Sequence, residues 1–233
     1  MPVGFFSVVA AMVSVLAPAP VPPVPVAPVP VDRVVRQPPA PTARVAAYRS
    51  AISSVTAADL GASWRPGCPV GPADLRRVTV DYWGFDGALH TGDLIVHRSV
   101  AADVATTFGK LHANRFPIRR IHPVSVYGAD DGTSMRANNT SAFNCRPVAG
   151  TAKWSEHAFG TAIDLNPLMN PWVTSRGTVD PPEGRRFAAR SPILPGMIRP
   201  GGAVTKAFAD VGWTWGGAWA SSKDYQHFSR SGR

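Results

Sequence analysis

The chain lacks any long run of Lys and Arg, although it is strongly basic. Its 24 Lys and Arg stand against 15 Asp and Glu, a formal charge of +9. The basic residues are scattered, and Arg far outnumbers Lys. Without a basic cluster or a recognition motif, nucleic acid is not the expected partner. The charge excess then fits an acidic lipid surface or an acidic cell-wall polymer, or simply a solvated basic face. An apolar run of transmembrane length is also missing. The stretch from Val3 to Ala17 is too short to span a bilayer and suits the core of a secretory signal, with small residues at Ala17 to Ala19 for cleavage. No Lys or Arg precedes that run, so an uncleaved membrane anchor is the alternative. No internal repeat is present. The length of 233 residues fits one domain, or one domain plus an appendage, and 45% hydrophobic content with seven Trp provides for a sizeable core.

Cysteine is scarce, with only Cys68 and Cys145. In an exported chain an even count suggests a disulfide, and two separate buried thiols are the other reading. Residues 18–43 are dominated by Pro and Val, as in "PAPVPPVPVAPVPV". Pro lacks a donor N–H and fixes φ, so this segment reads as an extended polyproline-II spacer, or less readily as a ligand for a Pro-binding module. Three parts are therefore expected: a signal or anchor over 1–17, the spacer over 18–43, and a domain over 44–233.

Within the domain, "ARVAAYRSAISSV" has a helical look, and "TAAD" at 56–59 matches a capping box. Alternation in "RRVTVDYWGFDGALHTGDLIVH", with turn signals at Gly84, Gly87 and Gly92, predicts a hairpin. Ser99 is expected to cap a helix with Val100, Val104, Phe108 and Leu111 on one stripe. "IRRIHPVSVYG" reads as a strand, 129–153 as a long ordered loop, "TAIDL" as a short strand and 167–202 as mostly loop. "AVTKAFADVGW" predicts a helix, and "QHFS" a closing strand. Helices interspersed with hairpin-type strands indicate an α+β fold, a single domain with a small, mainly antiparallel sheet and flanking helices.

Chemistry concentrates in two stretches. "WSEHAFGTAIDLNP" carries His157 and, seven residues on, Asp164. Gly160, Thr161 and Ile163 argue against a helix, so His157 is expected in a loop, Gly160 in a tight turn and Asp164 on a strand. There Ala162 and Asp164 share one face, with Ile163 and Leu165 turned to the core. "WTWGGAWASSKDYQHFS" carries Asp224 and His227, which a regular strand would place on opposite faces. The chain must turn between them for both to face one site, and "WGGAW" supplies glycines for a bend and aromatics for a wall. Two His and one Asp suffice for a catalytic zinc site, which keeps a position open for water. Such an ion lowers the pKa of its water towards about 7 and polarises a carbonyl. A further carboxylate must then carry the proton, and Asp224 is placed for that. An Arg would stabilise the oxyanion, with Arg136 and Arg146 as candidates. "SEHAF" is not HExxH, so the helical zinc-protease motif is excluded. Bland readings stand beside each of these. A lone His is most often structural, Asp164 can cap a turn, and Asp224 can pair with Lys223 on the surface. Trp213, Trp215 and Trp219 can be core. His90, His97, His112 and His122 show no ligand spacing and read as structural.

The two stretches together resemble the LAS metallopeptidases, which comprise D-alanyl-D-alanine carboxypeptidases and dipeptidases and L-alanyl-D-glutamate endopeptidases, phage endolysins included. The pattern S-x-H-x-x-G-x-A-x-D falls on Ser155, His157, Gly160, Ala162 and Asp164, and acid-x-x-His falls on Asp224 and His227. The similarity covers about residues 60–229. It implies a hedgehog/DD-peptidase-like fold around a zinc cleft, one Zn²⁺ held by His157, Asp164 and His227, Asp224 as general base, and Ser155 in substrate contact. "GTSMRANNTSAFNCR" is similar to the segment ahead of the first ligand and brings in Arg136 and Arg146, with Arg146 preferred. Two departures stand out: Asp224 where many relatives carry Glu, and Ala218 where similar segments carry an acidic or polar residue. The resemblance implies an exported hydrolase of peptidoglycan stem peptides, foremost a D-alanyl-D-alanine carboxypeptidase. An L-alanyl-D-glutamate endopeptidase or a non-catalytic wall- or zinc-binding module on the same fold is the alternative. Nucleic acid is not among the expected partners, a membrane tether through the N-terminus is the variant arrangement, and a monomer is favoured.

Overall fold

The computed structural model describes residues 47–232 besides Met1. The segments expected to be a signal or anchor and a Pro-rich spacer lie, Met1 apart, outside the described residues. No helix among the described residues is long and apolar enough to cross a membrane.

Strands β1 (Ser50–Ser54), β2 (Leu75–Trp83) and β3 (Leu89–His97) form an antiparallel sheet in that order. The helix expected around "AISSV" is thus corrected to an edge strand, with Ile52 opposite Val78. Serines compete with helical hydrogen bonds, and the open edge of β2 satisfies the same backbone. One helical turn, α1 (Ala57–Leu60), follows. Its capping box is formed as the sequence predicts. The Asp59 amide donates to Thr56 Oγ1 at 3.3 Å, and the Thr56 amide donates to the Asp59 carboxylate at 2.8 Å.

The β2–β3 hairpin turns at residues 84–88, where the Gly84 amide donates to the Ala88 carbonyl at 2.8 Å. Gly92 is not in a turn but within β3, and its reason is crowding. A Cβ there would lie 2.5 Å from the Ile121 side chain. Helix α2 (Ala101–Ala113) buries Val104, Phe108 and Leu111 as its stripe predicts. Val100 occupies its N-cap; Ser99 instead hydrogen-bonds the His97 ring at 2.7 Å.

The strand expected over 118–128 is reduced to one bridge, Ile121 to Thr140, followed by a 3-10 turn at Val124–Tyr127. Pro123 removes the donor that a longer ladder needs. The region read as pure loop contains α3 (Asp131–Arg136), started by Asp130, whose carboxylate accepts from the Thr133 amide at 2.7 Å.

The remaining strands are short: β4 (Ala162–Asp164), β5 (Trp172–Val173) and β6 (Val179–Asp180), then, after helix α4 (Ala203–Ala209), β7 (Thr214–Trp215), β8 (Lys223–Asp224) and β9 (His227–Ser229). They make two further three-stranded sheets, β4-β9-β7 and β6-β5-β8, every ladder antiparallel. The fold is α+β as expected, with its antiparallel strands divided among three small sheets.

The main core joins Val78, Val80, Leu94 and Val96 of the hairpin with α2, α4, Ile163, Leu165 and Phe228. Phe208 of α4 stacks on Phe228 of β9 at 3.9 Å between ring centres, so the core holds β9 and hence His227 from behind. Apart from β5 and β6, the long irregular segment 167–202 is ordered by buried asparagines. Asn166 donates to the Pro117 and Gly196 carbonyls, and Asn170 accepts from the Ile198 amide at 2.7 Å. These amides satisfy backbone groups that a buried loop would otherwise leave unpaired. Cys68 and Cys145 form the expected disulfide, with 5.9 Å between their Cα atoms.

Candidate metal centre

Three elements bring the two sequence stretches together. Strands β4 and β9 pair so that Asp164 lies directly opposite His227. The 3-10 turn Glu156–Phe159 then carries His157 in from the side. Ser155 caps that turn, its Oγ accepting from the His157 amide at 3.3 Å. Gly160 closes it at φ +69, where a Cβ would stand 2.6 Å from the backbone nitrogen of His97. The turn is thereby pressed onto the end of β3.

The three side chains are buried, at 4%, 5% and 6% exposure for His157, Asp164 and His227. His157 Nε2 lies 3.3 Å from His227 Nδ1 and 3.2 Å from Asp164 Oδ2. His227 Nδ1 lies 3.1 Å from Asp164 Oδ1. An ion bound tetrahedrally at about 2.0–2.1 Å holds its donor atoms about 3.3–3.4 Å apart. The two imidazole nitrogens are spaced as such an ion requires, and each faces a different oxygen of the Asp164 carboxylate. His157 Nδ1 donates to the Ala142 carbonyl at 2.6 Å, which fixes the tautomer and turns the Nε2 lone pair inward. Two imidazole nitrogens and a carboxylate converging in a buried space are satisfied by a shared proton or a shared metal ion. Burial raises the Asp164 pKa, but the adjacent His157 and His227 outweigh it and hold the carboxyl well below its ordinary range. The three residues fit a metal ion, and their donor types suit zinc.

Asp224 reaches the same space from a different sheet. The chain leaves β8 at Asp224, passes Tyr225 and Gln226, and enters β9 at His227. That change of sheet is the turn the spacing requires. The glycines of "WGGAW" do not make the bend; Gly216 instead permits close approach. A Cβ on Gly216 would meet the Asp224 carbonyl at 2.8 Å, the Asp224 Cβ at 3.0 Å and the His227 Cβ at 3.3 Å. Asp224 Oδ1 is enclosed without a hydrogen-bond partner. Burial, with Asp164 nearby, pushes the Asp224 carboxyl up to about 7 against the opposing pull of the histidines.

A cavity of about 370 Å³ opens over these four residues. Ser155 and Arg146 line it. Arg146 pairs with Asp131 at 2.6 Å and keeps a buried Nε without a partner. Arg136 does not line the cavity; it donates to the Thr133 hydroxyl at 2.9 Å and lies 3.7 Å from Asp130. Trp219 walls the cavity, its ring 5.6 Å from that of His227, whereas Trp213 and Trp215 belong to the core. Ala218 lies between these Trp residues and does not line the cavity. Lys223 Nζ donates to the Trp219 carbonyl and forms no ion pair with Asp224. His90, His97, His112 and His122 stand outside the triad. The sequence reading does not single out Asp131, Lys153, Trp172, Asp180 or Gln226, which also line the cavity. Trp172 and Asp180 sit on two-residue strands, too short for any periodic signal.

A buried two-His, one-Asp triad able to hold a metal ion lies beside Asp224 and opens to the cavity, an arrangement compatible with metal-dependent hydrolysis. Residues 149–230, which hold all four side chains, match the family model described as D-alanyl-D-alanine carboxypeptidase (peptidase M15). No curated protein and no solved structure matches the chain.

Proposed function

We propose that the protein is an exported zinc peptidase that hydrolyses stem peptides of bacterial peptidoglycan, acting as a D-alanyl-D-alanine carboxypeptidase. The observation that carries this reading is the close approach of His157, Asp164 and His227, at 3.1–3.3 Å, beside Asp224 with its enclosed Oδ1. Bound by the triad, zinc would supply the Lewis acidity that activates water and polarises the scissile carbonyl. Asp224 takes the proton of the attacking water and returns it to the departing amine. A carboxyl pushed up by burial suits a group that must both accept and release that proton. Arg146, anchored by Asp131, offers its unpartnered Nε to the charge that develops on the carbonyl oxygen. Ser155 fixes the His157 turn and contacts substrate along the wall. Arg136 is given no role, because its guanidinium is engaged by Thr133 and Asp130 and does not line the cavity. Lys153 on the rim offers the cation that a C-terminal carboxylate would pair with, which favours a carboxypeptidase over an endopeptidase.

Metal analysis tests the centre. Purified protein should carry about one zinc per chain, and His157→Ala should lose it. Undiminished zinc in that variant would remove the ligand assignment. Release of D-alanine from a soluble stem pentapeptide, abolished by a chelator and restored by Zn²⁺, tests the reaction.

A further inference from the structure

The sheet β6-β5-β8 puts three side chains in one rung: Asp180 opposite Trp172, and Trp172 opposite Asp224. Directly opposed residues project from the same face of a sheet, and all three line the metal cavity. Adjacent strands lie about 4.8 Å apart, so Asp180 stands about 10 Å from Asp224 along the rung, with the Trp172 indole between them.

The carboxylates of the cavity differ in what they touch. Asp131 is paired with Arg146 at 2.6 Å, and Glu156 accepts from the Thr161 hydroxyl at 3.0 Å. Asp164 belongs to the triad, and Asp224 stands over it. Among the described residues the Asp180 carboxylate has no hydrogen-bond or ion-pair partner, although Arg136 and Arg146 act on it from farther away. Burial, reinforced by Asp131 and Glu183, makes its charge unfavourable as it stands. Another unanswered acceptor lines the same cavity: Gln226, 3% exposed, has a buried Oε1 without a partner. A half-buried carboxylate with an indole next to it on the rung, in a cavity that also holds a buried amide oxygen, is the complement of a cation with several N–H donors. A primary ammonium has that chemistry.

We infer that Asp180, with Trp172 beside it, forms a subsite for the protonated side-chain amine of a diamino acid residue in the substrate peptide. The inference builds on the stem-peptide reading above. The span is right for it: an extended residue covers about 3.3–3.6 Å, so an amine on a long side chain one residue from the scissile bond reaches Asp180 while the carbonyl lies at the triad. Asp180 acts here in specificity, remote from the bond that breaks.

The test uses the zinc-loaded full chain and two stem pentapeptides, identical except that the diamino acid's side-chain amine is free in one and acetylated in the other. The wild type should favour the free amine by about 10-fold in kcat/KM, the worth of one charged hydrogen bond. Asp180→Asn should bring that ratio close to one, and Asp180→Glu should restore part of it. Equal rates on both peptides in the wild type, or an undiminished preference in Asp180→Asn, would overturn the subsite. Equilibrium titration of the same peptides, read by Trp fluorescence, separates this from the reaction. If neither peptide is cut but binding still prefers the free amine through Asp180, the subsite stands and the peptidase reading falls. Cleavage with no such preference in rate or binding has the opposite meaning.

Discussion

Asp224 is held in a place where its charge costs stability. In the metal-free protein its carboxyl is pushed up to about 7 by burial, whereas in the unfolded chain it titrates near 4. Between those values the native state keeps a proton that the unfolded chain has lost, so this group's contribution falls as pH rises from about 4 to about 7. Asp164 has the opposite sign: its lowered pKa adds stability above the ordinary carboxyl range, lost as pH falls through and below it. Asp224→Asn should therefore raise the thermal midpoint of metal-free protein at pH of about 7.5, with the gain shrinking towards pH of about 4.5. The same substitution should keep the metal and lower kcat by roughly 10²–10⁴-fold, the usual weight of a general base. Wild-type turnover in that variant would remove Asp224 from the mechanism. Gly216→Ala forces a methyl against Asp224 and His227, and overpacking of this kind costs about 1–3 kcal/mol. Calorimetry should show that loss together with weakened zinc affinity. At this scale the sequence was most legible, because His157, Asp164, Asp224 and His227 lie in two compact patterns. Asp180 and Trp172 were not, because strand register alone brings them to the cavity, and no local pattern encodes register between two-residue strands.

The elements that hold the site are short, and cross-links do what length does not. The β4 and β9 strands have three residues each, backed by the Phe208–Phe228 stack. The disulfide closes a separation of 77 residues and ends at Cys145, next to Arg146. Replacing both cysteines with Ser should cost up to about 4 kcal/mol by loop entropy. Scanning calorimetry should show a drop in midpoint on the order of 10 °C. Because Arg146 would lose its anchored neighbour, kcat on a soluble peptide should fall as well; an unchanged kcat would separate the bridge from the site. Periodic or capped elements were readable beforehand: the hairpin, the stripe of α2, the Thr56 capping box, α4 and the closing strand. The misreadings came where tertiary partners overrode local preference. Ser50–Ser54 joined the edge of β2, Pro123 cut the expected strand short, and α3 arose from an Asp130 cap inside a polar stretch.

The whole molecule carries +9 with no basic cluster. Diffuse charge of this kind attracts an anionic polymer over distances set by ionic strength and confers little sequence specificity. Retention on insoluble cell wall should weaken steeply between about 0.05 and 0.5 M salt, while hydrolysis of a soluble stem peptide changes far less. Retention insensitive to salt would mean that contacts other than charge hold the protein to the wall. The α+β class was visible from the alternation of helical and hairpin patterns, but the division of the strands into three sheets was not. That division moves the chain from β8 to β9 between Asp224 and His227, and so places both over one cavity.

The most direct measurement is digestion of purified peptidoglycan and soluble stem pentapeptide by zinc-loaded wild type and Asp224→Asn, each with and without chelator, read by mass spectrometry. The account predicts loss of the terminal D-alanine by the wild type alone, abolished by the chelator. Cleavage that survives the chelator or the Asp224→Asn substitution, or no cleavage of either substrate by the zinc-loaded wild type, would contradict it.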